Sequence, residues 1–142
     1  MKKLPIFFYQ QEVSYTLKHK NKLRQWINQT ILHEKHQLES LNFIFCSDNY
    51  LLTLNRQYLH HNTYTDIITF DNSETSGLII GDIFISIDRI KENAKTFNSS
   101  FTNELHRVMI HGTLHLLGYK DKSAKAKKLM TQKEDEYLGM RV

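Results

Sequence analysis

Residues 66–87, DIITFDNSETSGLIIGDIFISI, decide the fold class. Two runs rich in Ile, Thr and Phe, Asp66 to Asp71 and Gly77 to Ile87, have the β-branched and aromatic content of strands. The polar stretch Asn72-Ser73-Glu74-Thr75-Ser76-Gly77 between them is a loop, and it leaves no room for a helix. Two strands that follow each other directly can form a hairpin. A doubly wound α/β fold would place a helix between them.

Working outward from this pair gives the remaining elements. Upstream, Leu4 to Tyr9 reads as a strand. His19 to His36 reads as a helix, with Leu23, Trp26, Ile27, Thr30 and Ile31 at helical spacing. Leu41 to Cys46 is a short apolar strand. Ser47-Asp48 offers an N-cap for a helix through about Tyr58, with Leu51, Leu52 and Leu54 as its apolar positions. Downstream, Asp88 can cap a helix to about Phe97, and Ser99-Ser100 can cap the next, which runs to Leu117 and stops at Gly118. Ser123 starts a last helix reaching about Leu138. The order β-α-β-α-β-β-α-α-α predicts an α+β fold: a small mixed four-stranded sheet covered by helices.

The 142 residues fit a single domain, 1–142, and no linker or repeat divides them. That length buries roughly two-thirds of the unfolded surface, so no disulfide is required. Cys46 is the lone cysteine, which rules out an internal disulfide and agrees with a reducing compartment. It closes the apolar run Phe43-Ile44-Phe45 and reads as a buried structural thiol. No apolar run approaches the roughly 18 residues of a membrane span. Met1-Lys2-Lys3 and the short stretch after it lack the features of a signal peptide. A cytoplasmic monomer without a membrane partner is expected. The net charge of +4 permits a polyanionic partner. Lys120, Lys122, Lys125, Lys127 and Lys128 carry much of the excess, and on a helix they read as a solvated face.

The chemistry lies in residues 104–121, ELHRVMIHGTLHLLGYKD. His111 and His115 are four apart on a helix in the C-terminal half, so both imidazoles share one face within reach of one ion. Gly118 then breaks the helix and lets the chain turn back, bringing Asp121 to the same ion as a third ligand. Three protein ligands and a position left for water mark a catalytic zinc rather than a structural one, and the ion lowers that water's pKa. Phe101, Leu105, Val108, Gly112 and Leu116 form an apolar stripe, with Glu104, His111 and His115 beside it. Gly112 costs about 1 kcal/mol against Ala in mid-helix, which close approach of a strand or substrate would offset. HxxxHxxGxxD also fits a zincin-type protease frame. The carboxylate that follows the first histidine there, the general base, is replaced here by Gly112.

These residues resemble the YbeY family of bacterial endoribonucleases, also described as rRNA maturation factors. The family pattern HGxLHLxGYDH stands here as residues 111–121, HGTLHLLGYKD. Residues 54–58, LNRQY, followed by 65–70, TDIITF, resemble the family's LNxxYR…TDVLSF, and 81–83, GDI, resembles its GDI strand. The resemblance implies an α+β fold, one zinc ion, and cleavage of single-stranded RNA. It also implies a role in rRNA processing at the 16S 3′ end and in ribosome quality control, with the ribosome as partner. Three positions depart from the pattern: Asp121 replaces the third histidine, Lys120 the preceding Asp, and Leu59 the arginine closing the LNxxYR block.

That arginine is a natural holder of phosphate charge. Arg56, one turn earlier, is the candidate substitute, and Arg107 is a second. Glu104 is the candidate proton carrier. Asp66 and Asp82 read as structural or histidine-positioning groups. Tyr58, Tyr64 and Phe70 are available to stack on bases, although Phe70 fits core packing better. Water and the RNA 2′-hydroxyl both stay open as nucleophile. A ribosome-associated module with a structural metal, and a metal-dependent hydrolase such as a protease, are the alternative functions.

Overall fold

The structure is a computed structural model that describes residues 4–141. Met1, Lys2 and Lys3, which carry the reading of the chain's start, lie outside those residues. The elements are β1 (Ile6–Gln11), α1 (Lys20–His33), β2 (Gln37–Cys46), α2 (Asp48–Tyr58), β3 (Ile67–Asp71), β4 (Leu78–Ser86), α3 (Ile87–Thr96), α4 (Phe101–Leu116) and α5 (Ala124–Leu138). The predicted order holds throughout. The strands form one mixed sheet in the order β1-β2-β4-β3. β1, β2 and β4 run parallel, and β3 returns antiparallel on β4, pairing Ile67 with Ile85 and Asp71 with Gly81. The hairpin expected of residues 66–87 is therefore present, and the fold is α+β.

Strand alternation sorts the two faces of the sheet. Leu41, Phe43 and Phe45 of β2 join Ile79, Ile83 and Ile85 of β4 in the main core. There they pack with Trp26, Ile27 and Ile31 of α1 and Leu105, Val108 and Met109 of α4. On the other face Cys46 and Ile68 pack with Leu51 of α2, flanked by Phe70 and Phe84. Cys46 is fully buried, as expected of a structural thiol. Burial first, then the charges of Asp48, Asp88 and Glu12, push its thiol up to about 12.

Several boundaries differ from the sequence reading; β1 runs Ile6–Gln11 rather than Leu4 to Tyr9, and three further differences have a visible cause. β2 begins at Gln37, four residues before Leu41. Its polar start pairs with Leu78–Ile80 across a register shift between Leu38 and Ser40, a pairing that hydrophobic patterning does not reveal. α1 ends at His33 rather than His36, because Lys35 takes a left-handed φ of 62°. The His36 and Lys35 amides then turn back to the carbonyls of Ile31 and Leu32, closing the helix without a glycine. Ser86, not Asp88, caps α3, accepting from the Arg89 amide at 3.1 Å. Asp88 instead accepts from the Asp48 amide at 2.9 Å and ties the starts of α2 and α3 together.

α4 crosses this sheet closely because two glycines allow it. A Cβ on Gly112 would lie 2.8 Å from Ile67 Cδ1 and 3.0 Å from Ile83 Cγ2. One on Gly81 would lie 2.8 Å from the Phe70 carbonyl and 2.9 Å from Leu116. The approach expected at Gly112 is thus made by side chains of β3 and β4. It fixes the height of His111 and His115 above the sheet edge.

Candidate metal centre

α4 starts on a Ser100 cap and ends in a closed C-terminal turn. The Gly118 amide donates to the His115 carbonyl and the Tyr119 amide to that of Leu114, both at 3.0 Å. Gly118 supplies the positive φ of 107° that this turn needs. The chain reverses there, as its sequence predicts, and α5 runs back along α4. Asp121 is thereby carried to the two histidines.

The three candidate ligands converge. His115 Nε2 lies 3.0 Å from His111 Nε2 and 3.2 Å from Asp121 Oδ2. His111 Nε2 lies 3.3 Å from the same oxygen. Among the described residues these three form the group of His, Cys, Asp and Glu side chains close enough to share an ion.

The outer ring nitrogens decide what the inner ones can do. His111 Nδ1 is 2.6 Å from Glu134 Oε2, and His115 Nδ1 is 3.0 Å from the Tyr119 carbonyl. A carbonyl only accepts, so Nδ1 of His115 carries the proton, and the carboxylate draws the same tautomer from His111. In the neutral rings each Nε2 then presents a lone pair. Two lone pairs and a carboxylate oxygen face one point with no donor among them. Only a cation or an added proton relieves that arrangement.

Zinc bonds of about 2.0–2.1 Å at tetrahedral angles set ligand atoms about 3.3 Å apart. The edges of 3.0, 3.2 and 3.3 Å match one face of such a tetrahedron. The donors, two imidazoles and a carboxylate, therefore fit a borderline divalent ion with a fourth position open.

The carboxylate behind His111 is buried. Glu134 is 7% exposed, and its other oxygen accepts from Arg107 at 2.8 Å. Arg107 also pairs with Asp135 at 2.6 Å. This arginine, one of the candidate phosphate contacts, is thus engaged in holding the His111 support. Burial works against a charged His111, but the hydrogen bond and charge of Glu134, with Asp121 and Asp66, outweigh it and raise its pKa. Sequence reasoning missed Glu134, although a signal was there. Met130, Glu134, Tyr137 and Leu138 share one buried helical face, and a carboxylate on an apolar face needs a partner.

Other sequence-predicted residues lie outside the triad. Arg56 is exposed on the last turn of α2 and donates to Asn62 Oδ1. Leu59, at the position of the family arginine, is 44% exposed. Glu104 is buried on α4; burial, then the Asp66 charge, push its carboxyl up. Burial likewise raises Asp66, against the pull of His111 and Arg89. Asp82 accepts from Asn42 at 2.9 Å and Asn72 at 3.1 Å, a bracing of the sheet rather than of a histidine. Phe70 packs edge-on against Phe84 and Tyr58, while Tyr64 is exposed over the Arg89 guanidinium. Lys120, Lys122, Lys125, Lys127 and Lys128 are exposed around Asp121 and along the start of α5.

Comparison with known proteins agrees with this architecture. A family profile described as "Endoribonuclease YbeY" matches residues 6–140. A Cytophaga hutchinsonii protein named Endoribonuclease YbeY is 53% identical over 141 residues, 99% of each chain. One of the same name from Flavobacterium psychrophilum is 48% identical over 91% of each. The solution structure of TM1509 from Thermotoga maritima superposes with a TM-score of 0.65 at 28% identity, covering 94% of this chain and 86% of that one. A match running the length of the chain, at more than half identity to a full-length relative, places the protein in the YbeY endoribonuclease family.

Proposed function

We propose that this chain is a zinc-dependent endoribonuclease that cuts single-stranded RNA and acts in maturation of the 16S rRNA 3′ end and in ribosome quality control. Family membership supports the reaction class. The observation that carries the metal dependence is the convergence of three acceptor atoms within 3.0–3.3 Å of one another. His111, His115 and Asp121 would hold the ion. The chemistry that a divalent ion supplies in such a site is Lewis acidity toward a phosphoryl oxygen or water.

The chain's own residues do the rest. Glu134 and the Tyr119 carbonyl aim the two imidazoles inward. Glu104, its carboxyl raised by burial, is the proposed proton carrier. Arg56, paired among the described residues with a neutral asparagine side chain, keeps its charge available to an RNA phosphate. The exposed lysines around Asp121 add a positive approach for a polyanion. We read the chain as one catalytic domain, monomeric and cytoplasmic, with the ribosome as its partner. No helix of the described residues is long and apolar enough to cross a membrane. The peptide-hydrolase alternative is not favoured, because Gly112 stands where the general base would be and is packed against Ile67 and Ile83. A module with a purely structural metal is not favoured either, given the position left open by three ligands.

The test is cleavage of an end-labelled single-stranded RNA by zinc-loaded protein, with His115→Ala prepared in parallel. The native chain is expected to cut and the variant to lose at least about two orders of magnitude in rate. Equal cutting by both, or by neither, removes the catalytic assignment.

A further inference from the structure

Asp121 is the least supported of the three candidate ligands. It sits on the turn 117–123, its side chain is 36% exposed, and among the described residues its carboxylate meets only the two histidines. Its position is therefore set by the backbone of that turn. α4 closes the first half of the turn through Gly118 and Tyr119, and the Ser123 cap of α5 closes the second.

Among the described residues the polar tie to this turn from outside α4 and α5 comes through Tyr119. Its hydroxyl donates to Glu34 Oε1 at 2.7 Å, across 85 residues of sequence. Its carbonyl accepts from His115 Nδ1 at 3.0 Å. One residue thus links the C-cap of α1 to a candidate ligand and stands two positions before another.

Glu34 is itself anchored. Its second oxygen accepts from the Tyr137 hydroxyl on α5, and Lys133 lies 3.7 Å from it. Lys133 also lies over the rings of Tyr119 and Tyr137, at 5.9 and 6.0 Å from their centroids. Partial burial pulls the Glu34 carboxyl up, but the hydrogen bonds from Tyr137 and Tyr119 and the Lys133 charge leave it lowered, so it stands as an ionised acceptor. An ionised acceptor with several donors is a stiff anchor. Among the described residues the Glu34 carboxylate meets Tyr119, Tyr137 and Lys133 and no candidate ligand atom, so its effect on metal passes through Tyr119.

We propose that Glu34 is a positioning residue of the metal centre: by holding the Tyr119 hydroxyl it sets the turn that places Asp121 and aims His115. The proposal rests on the metal-centre reading and not on RNA cleavage. A turn held in its bound shape loses less freedom when the ion arrives, which raises affinity without a new contact.

The test measures binding of cobalt(II) alone, by chelator competition and by the visible spectrum of the cobalt protein, with thermal unfolding of the metal-free chains in parallel. Glu34→Ala and Tyr119→Phe are each expected to weaken cobalt binding about tenfold and to change the spectrum. The double variant should be no weaker than either single one, because both remove one tie. Glu34→Gln, which keeps an oxygen acceptor, should recover most of the affinity. Tyr137→Phe should lower the unfolding temperature and weaken cobalt binding less than the Glu34 and Tyr119 variants do, since it removes one of the two ties of Glu34 to α5, leaves that of Lys133, and leaves the bond to Tyr119 intact. If the Glu34 and Tyr119 variants bind cobalt like the native chain and only unfold earlier, Glu34 is a fold staple and the proposal fails. Multiplying losses in the double variant also overturn it. A native chain that takes no cobalt overturns the metal-centre reading and this tie with it. Should Glu34→Ala not fold, Glu34→Gln and Tyr119→Phe decide the matter.

Discussion

His111 and His115 are useful to an ion only because something fixes the proton on the far side of each ring. For His111 that partner is a buried carboxylate, Glu134; for His115 it is a main-chain carbonyl. The two should respond differently to substitution. Glu134→Ala leaves His111 free to rotate or change tautomer and leaves Arg107 with Asp135 alone, and it is expected to weaken metal binding about 10–100-fold in chelator competition. Glu134→Gln, which keeps an acceptor, should lose less. Unchanged affinity in both would separate Glu134 from the site. At this scale the triad was legible because helical spacing of four, then a helix-breaking glycine, are local features. The supports were harder to read: the buried face of α5 marks Glu134 as needing a partner without naming it, and Glu34 reaches the turn from the far end of α1. Arg107, an isolated basic residue in the sequence, is committed to Glu134 and Asp135.

Among the elements, the turn after α4 matters most, because it converts a helix carrying two candidate ligands into a candidate site with three. Gly118 has φ +107° and open space where a Cβ would go, so Gly118→Ala meets backbone strain and no clash. Such strain costs about 1–3 kcal/mol, and metal affinity should fall with stability as the turn shifts. Gly81→Ala is the contrasting case. Its Cβ would press on the Phe70 carbonyl, a rigid group, and on the flexible end of Leu116, so the loss should fall mainly on stability. Denaturant midpoints and metal affinity measured on both variants check this pair; equal loss of metal affinity in the two would contradict it. Element order and the hairpin were readable from hydrophobic and β-branched runs. The start of β2 was not, because Gln37–Ser40 earn their strand geometry from β4 rather than from their own side chains. The end of α1 was hidden for a related reason, since nothing in the sequence marks Lys35 as left-handed.

For the molecule as a whole, α5 staples the sheet and its helices to the site. Its C-terminal end receives the Trp26 indole on the Tyr137 carbonyl at 2.7 Å, and Arg141, just beyond, reaches His106 at 2.9 Å. Burial first, then Arg141 and His19, lower the His106 pKa from 6.5 to about 4. The folded chain therefore keeps His106 neutral where the unfolded chain takes up a proton. Stability associated with this group is full above pH 6.5 and is lost progressively as pH falls toward 4. Denaturant midpoints should decline over that window, and His106→Gln should flatten the decline; an identical slope in the variant would contradict the assignment. The most direct test of the account is the metal content of the purified chain, measured by elemental analysis after equilibration with zinc and removal of loosely bound ion. The account predicts one ion per native chain and almost none in the His111→Ala/His115→Ala double variant, with both still folded. An ion retained by the folded double variant, or none taken up by the native chain, would contradict it.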